Sequence, residues 1–352
     1  MTDLTAPALA RTLLVTGAST GIGEAAARHM ATRGWTVFGG VRSQKDADAL
    51  RQGANGDLRP IILDVTKNDQ VAAAVTTLSA ALGNRRLTGL LNNAGIAKMG
   101  PLAIQPLEDF EAHFAVNVFG MLRVTQAFVP LLGGDPAREG PPGRIVTITS
   151  VGGKIAAPFL GAYTATKHAN EAMTDTLRRE LAIYGIDAFA IGPGSVRTPI
   201  WDKAEKDNEG GLYAGSDWAA SLNIFEETML KGGKTGLKPE TIAEVVEDAF
   251  SNSSPKARYA PVPDKLTNFT SQWTKRSLSG PNRVSSALPL SSWMSPAMTF
   301  APAAMNTSTP ASPMPLAGAC DDGYLALEIC HVFLPVLADM GRPSARGVKG
   351  ER

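Results

Sequence analysis

RTLLVTGASTGIG, from Arg11 to Gly23, decides how the rest of the chain is read. Leu13, Leu14 and Val15 make a short, apolar, β-prone run that stops at Gly17, the pattern of a buried strand breaking into a turn. After Gly23, the residues Glu24, Ala25, Ala26, Ala27, Arg28 and Met30 are good helix formers. A glycine-rich turn between strand and helix leaves backbone N–H groups facing outward at the positive end of the helix dipole, which makes an anion site. Gly17 and Gly21 would let the backbone approach a pyrophosphate, and Gly23 would let the helix pack close on the strand. The glycines fall as G-x-x-x-G-x-G rather than G-x-G-x-x-G, so a dinucleotide site needs support from later segments.

That support begins with the alternation that follows. Trp35–Val41, Leu58–Leu63, Leu87–Leu91, Arg144–Thr149 and Ile186–Ile191 read as strands, with Arg258–Val262 as a seventh. Between them, Gln44–Arg51, Lys67–Leu82, about Leu107 to Leu132, Gly161–Tyr184 and Pro239–Phe250 carry helical periodicity. Strands alternating with helices predict parallel βαβ units: an α/β fold with a Rossmann-type, doubly wound sheet in three layers, its ligand outside the carboxyl ends of the strands. The Pro/Gly-rich stretch Gly133–Gly143 reads as a surface loop. The expected organisation is a flexible N-terminus over 1–10, a catalytic domain over 11–265 with a substrate lid at about 195–236, and a low-complexity, disordered tail over 270–352.

At 352 residues, with 44% hydrophobic and 19% charged residues and a net charge of +1, the chain offers no electrostatic case for nucleic acid as partner. Its two cysteines, Cys320 and Cys330, leave the main body without a disulfide framework. No secretory leader is evident in the first residues, and the longest apolar run considered, Ile329–Met340, is too short to span a membrane. A cytoplasmic protein without a membrane span is expected, and no metal site.

In GAYTATKHAN, Tyr163 and Lys167 lie four apart, so a helix would put both on one face. A neighbouring ammonium favours the phenolate and would fit the tyrosine for general acid–base work.

These segments together resemble the short-chain dehydrogenase/reductase family. The match runs from TGASTGIG through Asp64, NNAG at Asn92–Gly95, Asn117 in VNVFG, Ser150, Tyr163 and Lys167 to Pro193-Gly194 and Thr198, over about Arg11 to Val262. The resemblance implies that Tyr163 exchanges the proton with the substrate oxygen while Ser150 holds that oxygen. By the same resemblance Lys167 lowers the Tyr163 pKa and binds the nicotinamide ribose, and Asn117 holds a water that links Lys167 to solvent. It also places Ser19, Thr20 and Ile22 of the turn, Asp64 with Val65, and Asn93, Ala94 and Gly95 against the cofactor. Pro193, Gly194, Val196 and Thr198 complete that expected set, and Asp64 is expected near the adenine. A homodimer or homotetramer is implied as well.

The second strand ends in Val41, Arg42 and Ser43, with no acid to hold a ribose 2′-hydroxyl and a guanidinium that can fork onto a 2′-phosphate, so NADP(H) is favoured over NAD(H). The segment Val196–Gly236 holds Trp201, Tyr213, Trp218, Leu222, Ile224, Phe225, Met229 and Leu230, either a lid for a bulky apolar substrate or a helix packing its aromatics inward. GPGSVRTPIWDKAE is closest to the retinol and hydroxysteroid dehydrogenase branch, although Gly192 stands where many members carry an acid and is expected to loosen the loop. From about Thr270 the family pattern is lost, which a shifted reading frame would explain. The expected activity is interconversion of an alcohol and a carbonyl on an apolar, retinoid- or steroid-like substrate. A ketoacyl-thioester reductase is the alternative among enzymes, and a non-catalytic nucleotide sensor or scaffold the alternative outside them.

Overall fold

Apolar runs too short for helices pair edge to edge in a computed structural model that describes residues 11–200 and 211–263. The strands are β1 (Thr12–Val15), β2 (Thr36–Val41), β3 (Leu58–Ile62), β4 (Gly89–Asn92), β5 (Arg144–Ile148), β6 (Asp187–Ile191) and β7 (Arg258–Tyr259). They form one seven-stranded sheet in the order β3-β2-β1-β4-β5-β6-β7, and every pairing is parallel. Chain order reverses between β1 and β4, where Leu14 pairs with both Phe38 and Leu90, and a crevice opens beyond such a switch point.

β1 is buried throughout because helices cover both faces, and alternate side chains enter different cores. Leu13 and Val15 meet α1 (Gly21–Thr32), α2 (Gln44–Arg51) and α8 (Pro239–Ser251) through Ala26, Leu50 and Ile242. Leu14 meets α3 (Asn68–Leu82) and α5 (Met121–Val129) through Leu78, Val124 and Phe128. The remaining helices are α4 (Leu107–Phe114), α6 (Gly161–Glu180) and α7 (Ala219–Thr235).

The long helix expected to Leu132 is interrupted. Between α4 and α5 the turn widens to π geometry over Ala115–Gly120, and a second π turn covers Pro130–Gly134. Helix α6 stops at Glu180 and tightens into a 3-10 turn, Leu181–Tyr184, ended by left-handed Gly185. β7 has two residues rather than five, since Pro261 and Pro263 have no N–H for a ladder. Leu107–Gly134 is long and apolar enough to cross a membrane, which corrects the expectation that no stretch reaches that length. Half of its most apolar window is buried in the fold, as in a core helix. The expected flexible N-terminus, the tail with both cysteines, Ile329–Met340, and Trp201 in the lid lie outside the described residues.

Candidate active site

The glycine turn is braced from the neighbouring strand. Thr16, at the end of β1, accepts hydrogen bonds at Oγ1 from the backbone N–H groups of Asn93 (2.9 Å) and Ala94 (3.1 Å). Asn93 returns two through Nδ2, to the carbonyls of Thr16 (2.9 Å) and Gly17 (3.0 Å). Gly17 has φ 65°, and a Cβ on it would lie 2.8 Å from Ala94 Cα. Only glycine fits a left-handed backbone pressed this close to another chain segment. At the start of α1, the extended Thr20 makes no side-chain cap, so the first N–H groups of the helix face outward with the positive end of its dipole.

This turn lines a cavity of about 560 Å³, the size of a cofactor cleft. Ser19, Thr20, Gly21 and Ile22 line it beside Gly17. The ends of β2 and β3 add Arg42, Asp64 and Val65, and the turn after β4 adds Asn93, Ala94 and Gly95. Pro193, Gly194, Val196 and Thr198 line it after β6, and Ser150, Tyr163 and Lys167 line it as well. Burial works to raise the Asp64 pKa, but two hydrogen bonds from Thr66 and the charges of Arg42 and Lys67 outweigh it and hold the carboxyl low. The uncapped helix start and the glycine cradle fit a dinucleotide.

Two expected members of the set lie off this wall. A Cβ on Gly23 would sit 2.2 Å from the Gly17 carbonyl oxygen, so Gly23 supports the turn from behind rather than touching a cofactor. Asn117, fully buried in the π turn, accepts from the Ile96 N–H at Oδ1 (2.8 Å) and donates through Nδ2 to the Ile96 carbonyl and Thr166 Oγ1 (3.0 Å each). It therefore holds the segment after Gly95 in place.

Ser150 follows β5 in extended backbone, and its Oγ accepts from the Gly152 N–H at 3.0 Å. One helix turn puts Tyr163 and Lys167 on the same buried side of α6. Lys167 Nζ donates to the Ile148 carbonyl at 2.9 Å and lies 5.6 Å from the Tyr163 ring centre. Burial pushes the Lys167 ammonium down to about 8, against the opposing charge of Glu171. Burial also raises the Tyr163 phenol, with a hydrogen bond to Ser150 pulling the other way. That direction is opposite to the one expected from pairing with Lys167: desolvation of the phenolate dominates, and the phenol stays protonated at neutral pH.

Beside Tyr163 a third apolar cluster gathers Ala97, Met99, Phe159, Tyr213, Leu222 and Phe225. The segment expected as a lid thus turns Tyr213, Leu222 and Phe225 inward, while Ile224 stays exposed. The loop carrying Ala97 is fixed to α4, because the Lys98 N–H donates to His113 Nε2 (2.9 Å) and Lys98 Nζ pairs with Asp109 (2.7 Å). Burial pushes the His113 pKa down, which suits a neutral ring accepting at Nε2. Gly192 does not loosen its loop: its N–H donates to Tyr259 O at 2.8 Å, and the Gly194 N–H to Pro261 O at 3.0 Å.

Sequence reading passed over Thr16, Lys98 and Glu171. Glu171 alone carried a signal, since it falls one helix turn beyond Lys167. The partners of Thr16 and Lys98 are fixed only by folding.

The family model for short chain dehydrogenases matches residues 11–209. The chain is 36% identical over 256 residues to an NADPH-dependent 3-dehydrocapnine reductase of Ornithobacterium rhinotracheale, covering 73% of this chain and 89% of that protein. It is 31% identical over 263 residues to retinol dehydrogenase 7 of Rattus norvegicus, covering 70% and 79%. Among solved structures it is similar to a short chain dehydrogenase/reductase from Burkholderia phymatum in complex with NAD, with a TM-score of 0.62, 25% identity, and coverage of 78% of this chain and 96% of that one.

Proposed function

Because the chain belongs to the short-chain dehydrogenase family, and is an oxidoreductase by that membership, we propose that it interconverts an alcohol and its carbonyl on a bulky apolar substrate, with NADP(H) as cofactor and Tyr163 exchanging the proton. One observation supports this reading: Ser150, Tyr163 and Lys167 line the same cavity as the glycine turn of Gly17, Gly21 and Ile22. A bound nicotinamide dinucleotide would supply hydride exchange with the substrate carbon. Gly17, Gly21 and Ile22 would hold its phosphates, and Lys167 its nicotinamide ribose.

In reduction, the protonated phenol of Tyr163 donates its proton to the substrate oxygen, and Ser150 orients that oxygen. The Lys167 ammonium stabilises the phenolate left behind, and in oxidation the same proton travels the other way. The bonds of the Asn117 side chain to Ile96 and Thr166 support a positioning role for it, beside the water-holding one the family resemblance implies. The apolar cluster beside Tyr163 supports an apolar substrate, as does similarity to a protein named for retinol. Turnover of retinoid and steroid alcohols, but not acyl thioesters, with both dinucleotides tests the substrate class.

Arg42 lines the cavity at the end of β2, where its charge helps hold the Asp64 carboxyl low, and its chain neighbours Val41 and Ser43 carry no acid to hold a ribose 2′-hydroxyl. Arg42→Ala is expected to weaken NADPH binding by about 10- to 100-fold and NADH binding by less than about two-fold, the value of charge-assisted hydrogen bonds to a phosphate. Fluorescence titration with both nucleotides measures this, and equal losses would refute the phosphate role.

A homodimer or homotetramer is part of the proposal. Leu107 and Phe119 are 66% and 55% exposed on α4 and the π turn after it, and such side chains favour cover. Sedimentation equilibrium should return at least twice the chain mass; a monomer at micromolar concentration would end this part of the reading.

A further inference from the structure

One turn beyond Lys167 on α6, Glu171 is only 5% exposed, although buried carboxylates are costly unless paired. Its carboxylate accepts from Arg258 Nε of β7 at 2.7 Å, with Nη2 of the same guanidinium also in contact. Lys154 Nζ, in the turn just after Ser150, lies 3.3 Å away. Arg258 continues to Asp175 at 3.3 Å. The same turn is pressed against α6: a Cβ on Gly153 would stand 2.9 Å from both Glu171 Cγ and the Lys167 carbonyl oxygen. β7 in turn holds the loop containing Pro193, whose carbonyl accepts from the Val151 N–H at 3.1 Å.

We propose that Glu171 is a positioning residue of the site, supplying the negative charge that faces Lys167 from within α6 and clamping the Ser150 turn and β7 to that helix. The inference rests on the roles of Tyr163 and Lys167 proposed above. Around the Glu171 carboxylate, the turn after β5 contributes Lys154 and β7 contributes Arg258, while along α6 it lies one turn from Lys167 and two from Tyr163. The other charged side chains lining the cavity are Arg42, Asp64 and Lys98, the last paired with Asp109. Of these charges, that of Glu171 opposes the effect of burial on Lys167. Arg258 and Lys154 hold the carboxylate in place and partly mask it. Removing the carboxylate therefore makes the ammonium give up its proton at lower pH, and removing either cation has the opposite effect.

The test is the alkaline limb of kcat/KM, measured for the full chain. In Glu171→Gln the ratio of kcat/KM at pH 7 to that at pH 9 should rise by about five-fold over the unmodified protein, because the limb moves to lower pH. Glu171→Asp keeps the charge and should stay within about two-fold. Lys154→Met, a change on the exposed side of the same carboxylate, should move the limb to higher pH, and it gives a second answer if Glu171→Gln does not fold. A loss that is equal at every pH would reduce Glu171 to a structural contact and overturn the proposal.

A 13C NMR titration of the lysine Cε resonances, with Lys167 assigned through Lys167→Met, separates this inference from the function it rests on. If the Lys167 titration moves to lower pH in Glu171→Gln while the kcat/KM limb stays, the role of Glu171 stands and the catalytic use of Lys167 fails. If neither moves, the role of Glu171 fails.

Discussion

Tyr163→Phe is expected to lower kcat by about 10³-fold, the usual value of a positioned proton donor, and to leave NADPH affinity within about two-fold. The substitution removes one oxygen and keeps the ring, which packs in the third apolar cluster within 5.6 Å of Lys167 Nζ. Ser150 Oγ loses its hydrogen bond with the phenol but keeps the one from the Gly152 N–H, which holds it in place. Steady-state kinetics with nucleotide titration on the same preparation separates chemistry from binding. Because burial holds the phenol protonated, the defect should be present across neutral pH rather than confined to one limb. Unchanged turnover would remove Tyr163 from the mechanism.

Gly23→Ala is expected to destabilise the fold by about 3 kcal/mol, at the upper end for overpacking a filled site. The added methyl would meet the Gly17 carbonyl oxygen at 2.2 Å and Asn93 Nδ2 at 2.3 Å, and the first is backbone that cannot swing aside. Relief would break the Asn93 bonds to Thr16 and Gly17 and shift the turn proposed to hold the phosphates. Thermal melts should show a drop of roughly 6–12 °C for a domain of this size. Gly215→Ala is the control: a Cβ there meets nothing within 4 Å, and its stability should change by less than about 0.5 kcal/mol. Equal melts for the two variants would show that Gly23 is not a packing constraint.

Much of the architecture could be read from local pattern. Alternating strands and helices sufficed for the parallel sheet, since a buried strand needs a continuous apolar run and its crossover needs a helix. The position of TGASTGIG between such a strand and helix marked the end proposed for the phosphates, and the i, i+4 spacing of Tyr163 and Lys167 placed them on one face. Element ends were less legible. The π turn at Asn117 follows from a side chain bonded to Ile96 and Thr166, and no local propensity encodes partners so far away in the chain.

Residue order alone settled the fold class and nominated the candidate site residues, because both arise from periodicity and from backbone freedom at a few glycines. Folding alone decided the protonation of Tyr163 and the standing of Gly23, Asn117 and Glu171. The first depends on how completely water is excluded, and the others on distances between segments far apart in the chain, such as the Glu171 carboxylate of α6 and the Arg258 guanidinium of β7.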